Sequence, residues 1–242
     1  MLKVVIITSD DPLYVRKFFE NFKFSGNDIN YKITAIASLK TFRESRLKTM
    51  LRVLRLYGPI DFSKLLLKYL KNFLISRSLF EICNANEIEL FNTKTTKGRE
   101  FVEWIKIKNP DIILSVSASE IFNKELIACS KICGINIHCG KLPRYRGYMP
   151  VFWQMYENQE SITISFHEIV EKVDTGGLLK TELIKIEKNS SLDEIMTKVK
   201  ILSALNASLL LNEIAQTRVK PEVSKLNLEE SNYFTFPKNK DV

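Results

Sequence analysis

Short apolar runs rich in Ile and Val recur along the chain at 3–8, 31–37, 88–91, 111–116 and 134–138, with helical stretches between most of them. A run that is apolar without alternation suits a strand covered on both faces. Strands of that kind joined by helices form a parallel sheet sandwiched between two helical layers. The expected fold class is therefore α/β, a doubly wound, mostly parallel, Rossmann-like sheet. Helices are expected over 11–22, with Asp10 or Asp11 as cap, and over 95–106, 121–129 and 192–215. Strand-like alternation returns at 162–167 and 177–186. Ligands of such sheets sit beyond the carboxyl ends of the strands, where His138 and residues 117–120 fall. The first strand-to-helix turn, TSDDPLY, contains no glycine, and no P-loop occurs, which argues against NAD, FAD and kinase or ATPase chemistry.

At 242 residues the chain supports one substantial domain, expected over 1–216, and a tail over 217–242 that packs its aromatics on the body. The amino-terminal apolar stretch is too short for a signal peptide, and no window approaches the roughly 18 to 20 apolar residues of a membrane span, so a cytoplasmic location is expected. The cysteines Cys83, Cys129, Cys133 and Cys139 lack zinc-site spacings, so reduced thiols and no metal are expected. Cys129 and Cys133 are expected to share a helix face.

The net charge of +8 is local. Residues 40–77 hold ten Lys or Arg against Glu44 and Asp61, leaving the remainder neutral. This segment reads as an inserted basic helical hairpin, 41–58 and 61–77, split at Gly58-Pro59. A solvated face is one reading of it and an anionic membrane surface or ligand the other. Backbone charge alone would give weak specificity for a nucleic acid, so no nucleic acid is expected as partner. A homodimer is left open, with the hairpin and the tail as the surfaces that would carry it.

The densest stretch is 134–177. Asn136-x-His138 is followed by Leu142-Pro143-x-Tyr145-Arg146-Gly147, then Pro150 and Trp153, then His167 and Asp174-Thr175-Gly176. In order and spacing these resemble the signature of the folate-dependent formyltransferase family. That family includes methionyl-tRNA formyltransferase, glycinamide ribonucleotide formyltransferase, formyltetrahydrofolate hydrolase and the enzymes that formylate amino groups of nucleotide-linked sugars. The resemblance is good over roughly 85–185 and implies 10-formyltetrahydrofolate as the formyl donor, with no metal.

Formyl transfer to an amine builds a tetrahedral intermediate, so the site must supply an oxyanion donor and a proton acceptor. A histidine titrates near neutrality, at about 6.5, which suits His138 to proton exchange. Asn136, two residues earlier on a strand, points to the same side. By resemblance, His138 is the central acid/base, Asn136 the oxyanion donor and Asp174 the electrostatic partner. His167 matches a position the family fills with His, as support. The same resemblance places the pterin along Ser119, Glu120, Ile121 and Phe122, with Val170, Glu171 and Lys172 as the opposite wall. Tyr145, Arg146 and Gly147 are candidates to contact the acceptor, with loop anchoring the rival role for Arg146, and Cys139 is read as a spectator.

Within the family, YMPVFWQM at 148–155 resembles the sugar-modifying group. Only a short tail follows the last long helix, whereas methionyl-tRNA formyltransferase adds a further domain there. The resemblance therefore implies folate and a nucleotide-linked amino sugar as small-molecule substrates, in bacterial surface-polysaccharide and O-antigen synthesis. The alternatives are a methionyl-tRNA formyltransferase-like enzyme acting on another amine, and a catalytically silent scaffold at a membrane surface.

Overall fold

A computed structural model of the protein describes residues 1–39, 46–237 and 241. The first strand, β1 (Leu2–Ser9), sends Leu2, Val4 and Ile6 to one side and Val5 and Ile7 to the other, all of them buried. Both faces must therefore be covered, and the following elements do so. They run α1 (Val15–Asn21), β2 (Tyr31–Leu39), α2 (Arg46–Ile75), α3 (Leu79–Ala85), β3 (Glu89–Thr93), α4 (Arg99–Lys108), β4 (Ile112–Val116), α5 (Lys124–Ile127) and β5 (Cys133–His138). After them come β6 (Arg146–Gly147), α6 (Pro150–Tyr156), β7 (Ser161–Glu168), β8 (Leu178–Lys185), α7 (Leu192–Thr217) and β9 (Tyr233–Phe234).

The main sheet has the order β3-β2-β1-β4-β5-β7-β8. Its first five strands are parallel, and β7 and β8 are antiparallel additions. The expected doubly wound, mostly parallel α/β sheet is what forms. Helices α1, α3 and α7 cover one face through Phe18, Phe19, Ile82, Val199, Ala207 and Leu211. On the other, Phe101 and Ile105 of α4 and Leu126 of α5 pack against Val5, Ile7, Ala35 and Ala37. Ser191 opens α7 with a reciprocal capping box to Glu194, which satisfies N–H groups the first turn would otherwise leave unpaired.

Helix boundaries differ from expectation where side chains find distant partners. The expected cap at Asp10 or Asp11 is not formed: the Asp11 carboxylate accepts from the backbone N–H groups of Leu13 and Tyr14 in the turn ahead of the helix, and regular helix starts at Val15 with Tyr14 at its N-cap. Helix α4 begins after Gly98, because the Thr96 N–H and the Thr95 and Thr96 hydroxyls are bound by the Glu120 carboxylate. The helix expected over 121–129 shrinks to the four residues of α5, started by the Asn123 side chain accepting from Leu126 N–H at 2.9 Å. Cys133 opens β5, so it and Cys129 do not share a helix face. The break at Gly58 falls as expected, with φ 71° inside α2 and Pro59 restarting the helix. Residues 40–45 of the basic segment, and 238–240 and 242 of the tail, lie outside the described residues. Among the described residues no helix is long and apolar enough to cross a membrane.

Candidate active site

The alternation of β5 decides what the site can contain. Ile135 and Ile137 belong to the core shared with α7, so Asn136 and His138 project to the opposite face, toward α4 and α5. Strand β7 runs antiparallel beside β5 and sets His167 opposite Asn136. Asn136 Nδ2 lies 3.0 Å from His167 Nε2. Because His167 Nδ1 is 2.8 Å from the Glu168 carbonyl, which can only accept, Nδ1 carries the hydrogen and Nε2 accepts from Asn136.

Asp174 reaches this face from the loop between β7 and β8. The turn that carries it presses so closely on β7 that a Cβ on Gly176 would stand 2.0 Å from the Glu168 carbonyl oxygen, which requires glycine there. The Asp174 carboxylate accepts from the Gly147 N–H at 2.9 Å and stands 3.7 Å from His138 Nδ1 and 3.5 Å from His167 Nε2. Asn136, His138, His167 and Asp174 thus form one cluster, although they come from three segments.

His138 is buried, and its Nε2 lies 2.7 Å from the Tyr145 carbonyl. That carbonyl fixes the hydrogen on Nε2, so the neutral ring presents a bare Nδ1 toward Asp174. Burial pushes the imidazole below its ordinary value of 6.5, against the upward pull of Asp174. Burial alone would raise the Asp174 carboxyl, but the adjacent His138, the contact with His167 and the Gly147 N–H together hold it at about 2. At neutral pH the pair is a neutral imidazole beside a carboxylate, which is a base ready to accept a proton and an anion ready to stabilise the resulting cation.

The 142–147 loop serves this pair through its backbone. Tyr145 is fully buried, stacked on Phe234 with ring centroids 5.6 Å apart, and its hydroxyl donates to Glu157. Arg146 is also buried, and its guanidinium donates to the Val173 carbonyl at 2.9 and 3.1 Å. Both side chains anchor the loop and the Asp174 turn, a different placement from the acceptor contact expected of them, since their polar ends are consumed inside the protein. Gly147 acts through its N–H. Strand β9 of the tail pairs with β6 here, and Trp153 donates to the Thr235 carbonyl at 3.0 Å.

Residues 119–122 run between β4 and α5. The Glu120 side chain is tied to Thr95 and Thr96, Phe122 is buried against α5 and Ile169, and Ile121 is exposed. Val170, Glu171 and Lys172 are exposed in the loop leading to Asp174.

One group on the other side of the strand ends was not anticipated. Lys200 of α7 is only 6% exposed, and its Nζ donates to Ser117 Oγ at 2.5 Å and lies 4.0 Å from Cys139 Sγ. Ser117 follows β4, and Ser9 Oγ at the end of β1 donates to its carbonyl. This is the point where the order of parallel strands reverses. The available signal was a lysine in the apolar stripe of α7, between Val199 and Ser203.

Comparison with known proteins agrees with this architecture. A methionyl-tRNA formyltransferase of Clostridioides difficile (strain 630) is 30% identical over 154 residues, covering 63% of this chain and 49% of the relative. The chain thus spans about half the length of the curated relatives it first matches. In fold it is similar to the phosphoribosylglycinamide formyltransferase of Bacillus halodurans, with a TM-score of 0.65 at 15% identity over 89% of this chain and 96% of that one. It is also similar to WlaRD, a sugar 3N-formyl transferase solved in the presence of dTDP and 5-N-formyl-THF, with a TM-score of 0.59 at 14% identity over 97% and 69% of the two chains. The formyl transferase family model matches residues 63–208, more than half of the sequence and the whole segment that carries the Asn136, His138, His167 and Asp174 cluster, so the chain belongs to that family.

Proposed function

We propose that the chain is a cytoplasmic N-formyltransferase that moves a formyl group from 10-formyltetrahydrofolate to the primary amine of a nucleotide-linked sugar. The observation that carries the reading is the bare Nδ1 of His138, set by the Tyr145 carbonyl on one edge of the ring and faced by Asp174 on the other. The donor supplies an electrophilic carbonyl carbon. His138 Nδ1 takes the proton the attacking amine must lose, and Asp174 stabilises the imidazolium that results. As the tetrahedral intermediate collapses, the bond from the formyl carbon to the folate nitrogen breaks and that proton passes to the nitrogen, releasing tetrahydrofolate and the neutral imidazole. Asn136 has a second amide hydrogen beyond the one given to His167, and it serves the oxygen that becomes negative.

Exposed Ile121 and Val170 stand on the two loops bordering this face and fit a flat folate ring, with Ser119, Glu120, Ile121 and Phe122 contributing backbone groups and Val170, Glu171 and Lys172 the other wall. Lys200 favours an anionic acceptor. A buried ammonium is costly unless counter-charge completes its surroundings; the buried Asp11 carboxyl, itself pushed upward by its burial, answers part of it, and a nucleotide diphosphate at the strand ends would supply the rest. Donor and acceptor would then meet at His138 from opposite faces of β5.

The test is incubation with 10-formyltetrahydrofolate and a panel of nucleotide-linked 3-amino and 4-amino sugars, together with methionyl-tRNA, following tetrahydrofolate release and product mass. One formyl group gained by a single sugar, and lost with His138→Ala, is the expected result. Formylation of methionyl-tRNA would move the acceptor to that class, and release without an acceptor would make the protein a hydrolase.

A further inference from the structure

The second limb of α2, residues 59–75, docks on the body by a narrow stripe. Leu65 is buried, Lys68 pairs with Asp193 at 2.7 Å, and Asn72 donates to the Pro12 carbonyl at 3.0 Å. At 100° per residue, Leu66, Leu67, Leu70, Phe73 and Leu74 fall on a continuous arc of about 120° that points away from that stripe. Their exposures are 40, 68, 49, 59 and 80%. A surface helix ordinarily turns its apolar stripe inward and its charges outward. Here the charged Lys68 is turned inward and five large apolar side chains are turned out, while Lys64 and Lys71 edge the arc and are exposed.

We propose that this outward face lies in the interface of an anionic lipid bilayer. Charge selects the occupant. The exposed cations of this limb and its end are Lys64, Lys71 and Arg77, Lys68 being held inward by Asp193, so a second copy meeting this patch about a two-fold axis would set like charges against each other. A nucleic acid would answer the charge and leave the leucines in water. An anionic bilayer answers both, the leucines and Phe73 entering the acyl boundary while Lys71, Arg77 and Lys64, which also pairs with Asp61 at 2.8 Å, meet headgroup charge. The first limb repeats the pattern, with Leu47, Met50 and Leu51 exposed beside exposed Lys48 and Arg55. The inference is independent of the catalytic reading, because none of these residues belongs to the site cluster.

The test is co-sedimentation of the full chain with vesicles of phosphatidylcholine alone and of equal parts phosphatidylcholine and phosphatidylglycerol. Binding to the anionic vesicles, weakened about tenfold or more by the double change Lys64→Glu and Lys71→Glu and abolished by Leu70→Glu with Leu74→Glu, is the expected result. All four positions are exposed, so an unchanged far-ultraviolet spectrum of each variant will show that the fold is kept. Absence of binding to either vesicle overturns the proposal, as does binding that Leu70→Glu with Leu74→Glu leaves intact. A dimer in sedimentation velocity that Leu74→Glu dissociates would assign the face to a second copy instead.

Discussion

At the scale of single residues, the proposed role of His138 as the base makes its protonation decide when the site can work. Its neutral form is the base, and burial lowers the pKa below 6.5, so the acidic limb of kcat/KM is expected below pH 6.5. Asp174 pulls that value upward, and Asp174→Asn should therefore move the limb to still lower pH while reducing kcat roughly 10²- to 10⁴-fold. A pH profile of wild type and variant checks both, and a limb that rises in the variant would contradict the assigned pairing. The sign for stability follows from the same shift. The unfolded chain binds the proton more readily, so His138 removes stability as pH falls from about 6.5 toward the folded value and adds no further change below it. Lys200 makes a different forecast. Lys200→Met keeps the volume and removes the charge, so KM for a nucleotide-linked acceptor should rise about tenfold or more with KM for the folate little changed. A loss confined to kcat would instead place Lys200 behind His138 rather than on the acceptor.

At the scale of elements, the short pair of β6 and β9 holds the 142–147 loop in register. Gly147 sits at φ 94°, and a Cβ there would stand 2.3 Å from the Phe234 carbonyl oxygen. Gly147→Ala must push β9 away or unwind the loop, and both moves disturb the N–H that Asp174 accepts. The expected cost is about 2–4 kcal/mol in thermal unfolding, accompanied by loss of activity. Helix boundaries belong to this scale as well. Local periodicity located α4 and α5 but overran them, because Thr95, Thr96 and Glu120 exchange local helix bonds for contacts about 25 residues apart in sequence. No short window contains both partners of those bonds.

At the scale of the whole molecule, the tail closes the site from outside the sheet. Phe234 stacks on Trp153 at 4.7 Å and on Tyr145 at 5.6 Å, and Asn232 accepts from the Tyr145 N–H. Phe234→Ala should therefore speed hydrogen exchange of amides 143–149 and shift Trp153 fluorescence to the red, leaving the amides of β1 and β4 as protected as before. Equal acceleration in the central strands would mean that the tail supports the entire fold. By itself the sequence determined the strands, which are local apolar runs that only two covered faces can satisfy, and the pairing of Asn136 with His138, which follows from a two-residue period on one strand. It also carried, through the resemblance to the formyltransferase family and not through any local pattern, the approach of Asp174 to that pair. Tertiary structure alone decided that Tyr145 and Arg146 turn inward as anchors, that Lys200 stands 83 positions from its partner Ser117, and that α2 turns its leucines outward. Those outcomes depend on which surface each side chain meets, a property of packing between distant segments that no local pattern encodes.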